Sequence, residues 1–133
     1  MPTSEASSRS PLVLVADDDD DLRASLADLL NTDGYDVVVA RDGREAVAVI
    51  AEAHPDLIIL DLVMPVMNGW EVLEQLEAEH LVAADQPIIL FSGSGNADPE
   101  TSFGNVVVFT KGGEPEDLLA IVGERLARDH QGG

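Results

Sequence analysis

The chain has 133 residues, a length typical of one domain, and its 45% apolar and 25% charged residues are the balance of an ordinary globular protein. Its 26 acidic and 7 basic side chains (Lys and Arg) give a formal net charge of −19, which argues against nucleic acid or an anionic membrane surface as a partner and favours cations or basic proteins. The sequence has no cysteine, no signal-peptide pattern and no apolar run near the ~20 residues that span a bilayer, so we expect a soluble, cytoplasmic protein without disulfides or thiolate metal sites.

The first part of the chain predicts a disordered leader, a strand and a helix. Residues 1–10 are rich in Ser and Pro and show no periodicity, which is typical of disorder. Leu12–Ala16 is a short aliphatic strand that runs into five consecutive aspartates, Asp17–Asp21. The leucines that follow have the spacing of a helix with one buried stripe, which Gly34 is placed to end; they are Leu22, Leu26, Leu29 and Leu30.

Apolar runs continue at intervals to the end of the chain. Four of them predict further strands, at residues 35–40, 57–60, 87–91 and 106–110. The glycine-rich residues 93–105 predict at most a short or frayed helix. Pro115 opens a last helix, and the polar residues 129–133 predict a loose tail.

Two more helices are marked at their first residues by capping pairs, in which a polar side chain precedes a glutamate by three positions. The pairs are Asp42 with Glu45, and Asn68 with Glu71. They predict helices over residues 43–53 and 69–80. The apolar contacts predicted for the second of these helices are Trp70, Leu73 and Leu76.

Strands that alternate with helices predict an α/β fold: a doubly wound, five-stranded parallel sheet with right-handed crossovers and helices on both faces. We expect one domain, over residues 11–128. All strands of such a sheet end at one edge, where open α/β folds bind their ligands. Five polar side chains follow or end the strands there: Asp17, Asp18, Asp61, Ser92 and Lys111.

Three carboxylates, a hydroxyl and an ammonium at one edge predict a metal-assisted phosphoryl site. Carboxylates a few Å apart repel one another unless a cation intervenes. Hard oxygen ligands in an incomplete cage suit Mg²⁺, and a carboxylate beside the metal can act as a nucleophile. Lys111, the only lysine of the chain, and Ser92 would neutralise and position the phosphoryl oxygens. The rest of the aspartate run, Asp19–Asp21, is expected to cap the following helix.

By their order and spacing, four pieces of the sequence resemble the receiver domains of two-component response regulators. The pieces are Val15-Ala16-Asp17-Asp18-Asp19, Leu60-Asp61-Leu62-Val63-Met64-Pro65 with Asn68-Gly69, Phe91-Ser92-Gly93, and Gly104 through Lys111. The resemblance covers Leu12 to Leu126 and implies the flavodoxin-like strand order 2-1-3-4-5. We expect a stand-alone receiver, since a chain of this length leaves no room for an output domain.

The resemblance implies that Asp61 is the phospho-acceptor. Ser92 would bond one phosphoryl oxygen and Lys111 would pair with another. The donor would be the phosphohistidine of a histidine kinase or a histidine phosphotransfer protein, and the signal would pass by contact to a protein effector that the sequence does not name. A receiver of this kind is not an enzyme on external substrates, because it catalyses only its own phosphorylation and dephosphorylation.

The resemblance also implies a Mg²⁺ site. Asp18 would be a direct ligand, Asp17 would act directly or through water, and Asp61 would belong to the same site. The backbone carbonyl of Val63 would complete the share of the ligands that the protein supplies.

Three features depart from the family pattern. Gly112 follows Lys111, where receivers usually have a proline; Val108 stands where they usually have an aromatic switch residue; and the segment between Ser92 and Lys111 is shorter by about one helical turn. These departures leave open an alternative, a receiver-like binding module that signals without phosphorylation. A phosphatase with an aspartate nucleophile is disfavoured, because Val63 occupies the position where such an enzyme needs a second acid.

Overall fold

The computed structural model describes residues 10–64, 66–83, 85–92, 105–110 and 114–132. Within these ranges lie five strands and four helices. They are β1 (Leu12–Ala16), α1 (Asp20–Thr32), β2 (Asp36–Ala40), α2 (Gly43–Ala53), β3 (Leu57–Asp61), α3 (Gly69–Ala78), β4 (Pro87–Ser92), β5 (Asn105–Thr110) and α4 (Pro115–Gly132). The segment 93–104, most of the region for which we predicted a short helix, lies outside the described residues.

The strands form one parallel sheet in the order β2-β1-β3-β4-β5. The predicted α/β fold, with its doubly wound sheet and this strand order, is therefore confirmed. Successive connections lead from β1 to one side and then to the other, so the order reverses between β1 and β3. In open α/β sheets the carboxyl ends of the strands at such a reversal flank the ligand site.

Helices cover both faces of the sheet, and β3 is buried along its whole length. Ile58 and Leu60 pack into a core beneath α2 and α3, whereas Leu57 and Ile59 pack into a second core beneath α1 and α4. Full burial of an aliphatic side chain of this size contributes about 1.5–3 kcal/mol to folding. Because side chains of β3 enter both cores, the end of this strand is a rigid support.

The capping pairs place the helices as the sequence predicts. Asn68 and Glu71 form a complete capping box, in which each side chain accepts a hydrogen bond from the backbone N–H of the other residue. Asp42 accepts from the N–H of Glu45 at 2.8 Å, but the Glu45 carboxylate accepts from the N–H of Arg41 instead of from that of Asp42. The second pair is therefore a half-complete box.

Several details differ from the sequence prediction. α3 ends at Ala78, where we expected a helix to residue 80, and Val72 is fully buried while Trp70 is only partly so. α4 continues to Gly132, into the segment for which we expected a loose tail. Polar residues such as those at 129–131 are compatible with a helix, so the sequence carries no signal that ends it at residue 128. None of the described helices is long and apolar enough to cross a membrane.

The amino-terminal edge of the sheet is held by a clamp of polar contacts between β1 and the start of β3. The backbone N–H of Leu12 donates to the Asp56 carboxylate at 2.8 Å, and the N–H of Asp56 donates to the Leu12 carbonyl at 2.7 Å. The side-chain amide of Gln86 lies within 3.4 Å of the carbonyls of Pro55, Asp56 and Pro87. We refer to these contacts as the amino-edge clamp.

Two glycines at helical positions predict opposite responses to the same substitution. A Cβ on Gly43 would lie 2.0 Å from the Met67 carbonyl oxygen, whereas one on Gly123 would lie 3.7 Å from the Tyr35 hydroxyl, an ordinary contact. We expect Gly43→Ala to lower the free energy of unfolding by about 2 kcal/mol or more, because the loop must move. We expect Gly123→Ala to raise it by up to about 1 kcal/mol, because alanine favours a helix interior. Urea unfolding followed by circular dichroism measures both, and equal signs would contradict the assigned contacts.

The net charge of −19 predicts a fold that salt stabilises. Ion pairs in the described part of the chain include Arg23–Asp20 and Arg41–Glu45, but 26 acidic residues outnumber the 7 Lys and Arg residues of the whole sequence. Raising KCl from about 0.05 M to about 1 M shortens the screening length to about 3 Å and weakens this repulsion. We expect the Tm to rise by several degrees at pH 7. Near the sequence pI of about 4.1 the rise should shrink, and an equal rise at both pH values would contradict the explanation.

Candidate metal centre

Three carboxylates meet at the carboxyl edge of the sheet. Asp17 and Asp18 follow β1, and Asp61 ends β3. One oxygen from each lies within 4.8 Å of the others. Asp17 and Asp61 are buried, whereas Asp18 is exposed to solvent. The structure thus brings together the three carboxylates that the sequence places at this edge.

Strand register explains why Asp17 and Asp61 meet. β1 and β3 are hydrogen-bonded neighbours, and Ala16 pairs with Leu60. The next residues, Asp17 and Asp61, therefore lie at the same level on neighbouring strands, which are about 4.8 Å apart. Backbone pairing between two aliphatic strands therefore brings the two carboxylates close together.

Each buried carboxylate is oriented by a backbone N–H two residues further along the chain. Asp17 Oδ1 accepts from the N–H of Asp19 at 2.9 Å, and Asp61 Oδ1 accepts from the N–H of Val63 at 3.1 Å. Aspartate commonly forms this local bond in turns. The same device therefore fixes the direction of the carboxylate at the ends of both strands.

The backbone on either side of these carboxylates is also bonded. The N–H of Asp17 donates to the Ala40 carbonyl at 3.1 Å, and its carbonyl accepts from Arg23 Nη1 at 2.8 Å. The N–H of Leu62 donates to the Phe91 carbonyl at 3.0 Å. Both strand ends are thus held through neighbouring strands or through α1, and the carboxylates have little freedom to move apart.

The loop after Asp61 returns closely to the strand that it leaves. The N–H of Gly69 donates to the Leu62 carbonyl at 3.0 Å, and a Cβ on Gly69 would lie 2.9 Å from the Asp61 carbonyl oxygen. Sequence reasoning identified Asn68-Gly69 as the start of a helix but not this close approach. A glycine directly after a helix cap was the one available signal.

The other predicted site residues are placed only in part. Ser92 ends β4 at the same edge and pairs in register with Thr110, the last residue of β5. The side chain of Ser92 and all of Lys111 and Gly112 lie outside the described residues, so their predicted roles stay predictions. Val108 is half-buried and packs against the core beneath α2 and α3.

The donor chemistry of the three aspartates fits Mg²⁺. Carboxylate oxygens are hard ligands, and Mg²⁺ typically takes one or two of them and keeps several waters. The exposed side of the cluster, at Asp18, leaves room for such waters. Two unit charges 4.8 Å apart repel by about 3 kcal/mol at an effective dielectric constant near 20, so a cation here relieves a substantial repulsion.

Comparison with known proteins matches this chain to one family of domains. The family model described as "Response regulator receiver domain" matches residues 13–123. A protein-glutamate methylesterase/protein-glutamine glutaminase of Haloarcula marismortui is 40% identical over 108 residues, which are 76% of this chain and 28% of that protein. Response regulator RR06 of Streptococcus pneumoniae is 31% identical over 110 residues, 83% of this chain and 49% of that protein. The chain therefore spans less than half the length of these curated relatives.

A solved structure is similar over nearly its full length. The receiver domain of the Francisella response regulator 1452 superposes with a TM-score of 0.80 at 27% identity. The match covers 90% of this chain and 99% of that one.

Val66, in the loop between Asp61 and α3, has a strained backbone. Its φ is +70°, its side chain is 71% exposed, and a β-branched residue is disfavoured in this left-handed region. Asparagine tolerates the conformation, so we expect Val66→Asn to raise the free energy of unfolding by about 1 kcal/mol.

The matched control is Val39→Asn, the same change at an exposed position of β2. There asparagine replaces a good strand former, and we expect a loss of stability. Urea unfolding measures both variants. A loss at Val66 as well would show that its side chain stabilises the loop more than its backbone strains it.

Proposed function

Since the chain belongs to the response regulator receiver domain family, we propose that Asp61 is its phospho-acceptor and that residues 11–128 form the receiver. The donor is the phosphohistidine of a histidine kinase or a histidine phosphotransfer protein. The observation that carries the proposal is the meeting of Asp17, Asp18 and Asp61 within 4.8 Å at the end of a buried strand.

In the proposed transfer, a carboxylate oxygen of Asp61 bonds to phosphorus while the nitrogen–phosphorus bond of the donor breaks. The imidazole keeps the electron pair of that bond and takes up a proton from solvent. Such a transfer depends mainly on positioning and on neutralisation of the phosphoryl oxygens. The rigid strand end and the Val63 N–H on Asp61 Oδ1 support the positioning.

The neutralisation requires cations, because the phosphoryl group approaches three carboxylates. We propose that Asp17, Asp18, Asp61 and the backbone carbonyl of Val63 hold Mg²⁺, with Asp17 acting directly or through water. When bound, Mg²⁺ offsets the charge of the phosphoryl oxygens and of the carboxylates. This assignment is supported by the oxygen-only donor set and by its open side at Asp18.

Ser92 and Lys111 complete the proposed site. Ser92 bonds one phosphoryl oxygen and Lys111 pairs with another. The proposal is supported by their positions in the chain: Ser92 is the last residue of β4, and Lys111 is the next residue in the sequence after Thr110, where β5 ends.

The proposed activity is regulatory. Val63, two residues after the acceptor, is aliphatic and 77% exposed, so it cannot protonate a leaving group during turnover of external substrates. We propose that the chain catalyses only its own phosphorylation and dephosphorylation, in the cytoplasm where ATP-dependent kinases supply the phosphoryl group. The output is contact with a protein effector, and the net charge of −19 favours basic protein surfaces over nucleic acid or anionic membranes.

Phosphorylation by a small acyl phosphate tests the acceptor. We expect incubation with MgCl₂ and acetyl phosphate to add the mass of one phosphoryl group to the wild-type chain and none to Asp61→Asn. The matched control is Asp36→Asn, an exposed aspartate at the opposite edge of the sheet, which should be modified like wild type. Mass spectrometry of the intact protein at low pH gives the result.

A wild-type chain that gains no mass, or a gain that survives in Asp61→Asn, would sink the proposed acceptor. The first result would favour the alternative of a binding module that signals without phosphorylation. The half-buried aliphatic Val108, in place of an aromatic switch residue, is the observation behind that alternative. In that case Asp61→Asn would keep the wild-type affinity for the protein partner.

A further inference from the structure

We propose that Arg23 is a positioning residue for the metal site, an inference that rests on the function proposed above. Arg23 lies in the first turns of α1, and its guanidinium contacts the loop that carries two of the three carboxylates. Sequence reasoning did not identify it, because the contact joins a helix side chain to a backbone carbonyl six residues earlier.

The guanidinium bonds two groups at once. Arg23 Nη1 donates to the Asp17 carbonyl at 2.8 Å, and Nη2 forms an ion pair with the Asp20 carboxylate. The Arg23 side chain is only 14% exposed, whereas that of Asp20 is 82% exposed. A long cationic side chain held this far from water loses rotamer freedom and hydration, and the two bonds offset that loss.

The bond to the Asp17 carbonyl acts on Asp18. That carbonyl belongs to the planar peptide unit between Asp17 and Asp18, so fixing it sets one backbone torsion of each residue. The Asp17 carboxylate is already held by the N–H of Asp19 and by burial. Asp18 is exposed, so burial does not hold its side chain. The direction in which its carboxylate leaves the backbone therefore depends on the peptide plane that Arg23 fixes.

The geometric role makes a different prediction from a purely electrostatic one. A positive charge close to a cation site repels the cation, so if charge alone mattered, its removal would strengthen Mg²⁺ binding. If Arg23 orients the ligands, any loss of its simultaneous bonds to the Asp17 carbonyl and the Asp20 carboxylate weakens Mg²⁺ binding, even when the charge is kept. Lysine keeps the charge but carries it as a compact ammonium on a flexible stem instead of as a planar fork.

Calorimetric titration with MgCl₂ separates these roles in wild type, Arg23→Lys and Arg23→Gln. We expect the Kd for Mg²⁺ to rise about tenfold in both variants, as for other groups that orient metal ligands. The matched controls are Arg44→Lys and Arg44→Gln, at an exposed position in the first turn of α2. Phosphorylation by acetyl phosphate gives a second measure: the Mg²⁺ concentration for half-maximal rate should rise, while the rate at saturating Mg²⁺ stays within about twofold of wild type.

The ion pair between Arg23 and Asp20 offers a milder variant in case Arg23→Gln does not fold. Asp20→Ala frees the guanidinium without removing it, and Asp21→Ala is the control with the same charge change one residue further on. We expect a rise in the Kd for Mg²⁺ in Asp20→Ala that is smaller than in Arg23→Lys, and none in Asp21→Ala. Thermal unfolding without Mg²⁺ is recorded for all variants.

Unchanged Mg²⁺ affinity in Arg23→Lys and Asp20→Ala, with or without a lower Tm, would overturn the inference and leave a structural role. Tighter binding in Arg23→Gln would overturn it in favour of the charge effect. A wild-type chain that does not bind Mg²⁺ would instead refute the metal site of the proposed function. The two failures are therefore distinguishable.

Discussion

Repulsion between carboxylates that a buried sheet holds side by side is the constraint on which this structure depends. Asp17 and Asp61 end neighbouring parallel strands, and the pairing of Ala16 with Leu60 fixes their separation. Because β3 packs into both cores, the strand ends cannot drift apart without loss of apolar contacts on two faces. The repulsion must therefore be offset by a bound cation or by hydrogen bonds from outside. In this way the close approach of the carboxylates follows from the packing of aliphatic side chains some distance away.

The loops above the sheet edge follow the same constraint. The turn after β1 is held by Arg23 and by the Asp19 N–H, and the turn after β3 by the Val63 N–H and by the close approach of Gly69. Both turns orient carboxylates with short local bonds, and both are tied to the start of a following helix. The strain at Val66 fits this picture, since the loop must return within a few residues to a helix whose first turn touches the strand that it left.

Much of this arrangement can be predicted from the sequence, and the reason is topological. Aliphatic runs fix the strands, parallel strands end at one edge, and so Asp17, Asp18 and Asp61 must come together. Contacts that depend on the path of a loop carry no periodic signal. The packing of Met67 over Gly43 and the bond from Arg23 to the Asp17 carbonyl belong to this class. The left-handed Val66 opposes its own propensity, so no rule based on residue type would have found it. The sequence prediction ended α4 too early, because polar residues favour solvent but do not by themselves break a helix.

The amino-edge clamp has a consequence for how such a domain can change over evolutionary time. Asp56 and Gln86 hold the strands together at one end, while Asp17 and Asp61 stand at the other, five residues further along β1 and β3. The contacts that maintain the fold and the carboxylates of the candidate metal centre therefore lie at opposite ends of the same strands. A substitution that strengthens or weakens one end need not disturb the geometry of the other. Residues around Asp17 and Asp61 can therefore differ without loss of the strand register, because the opposite end of the strands preserves it.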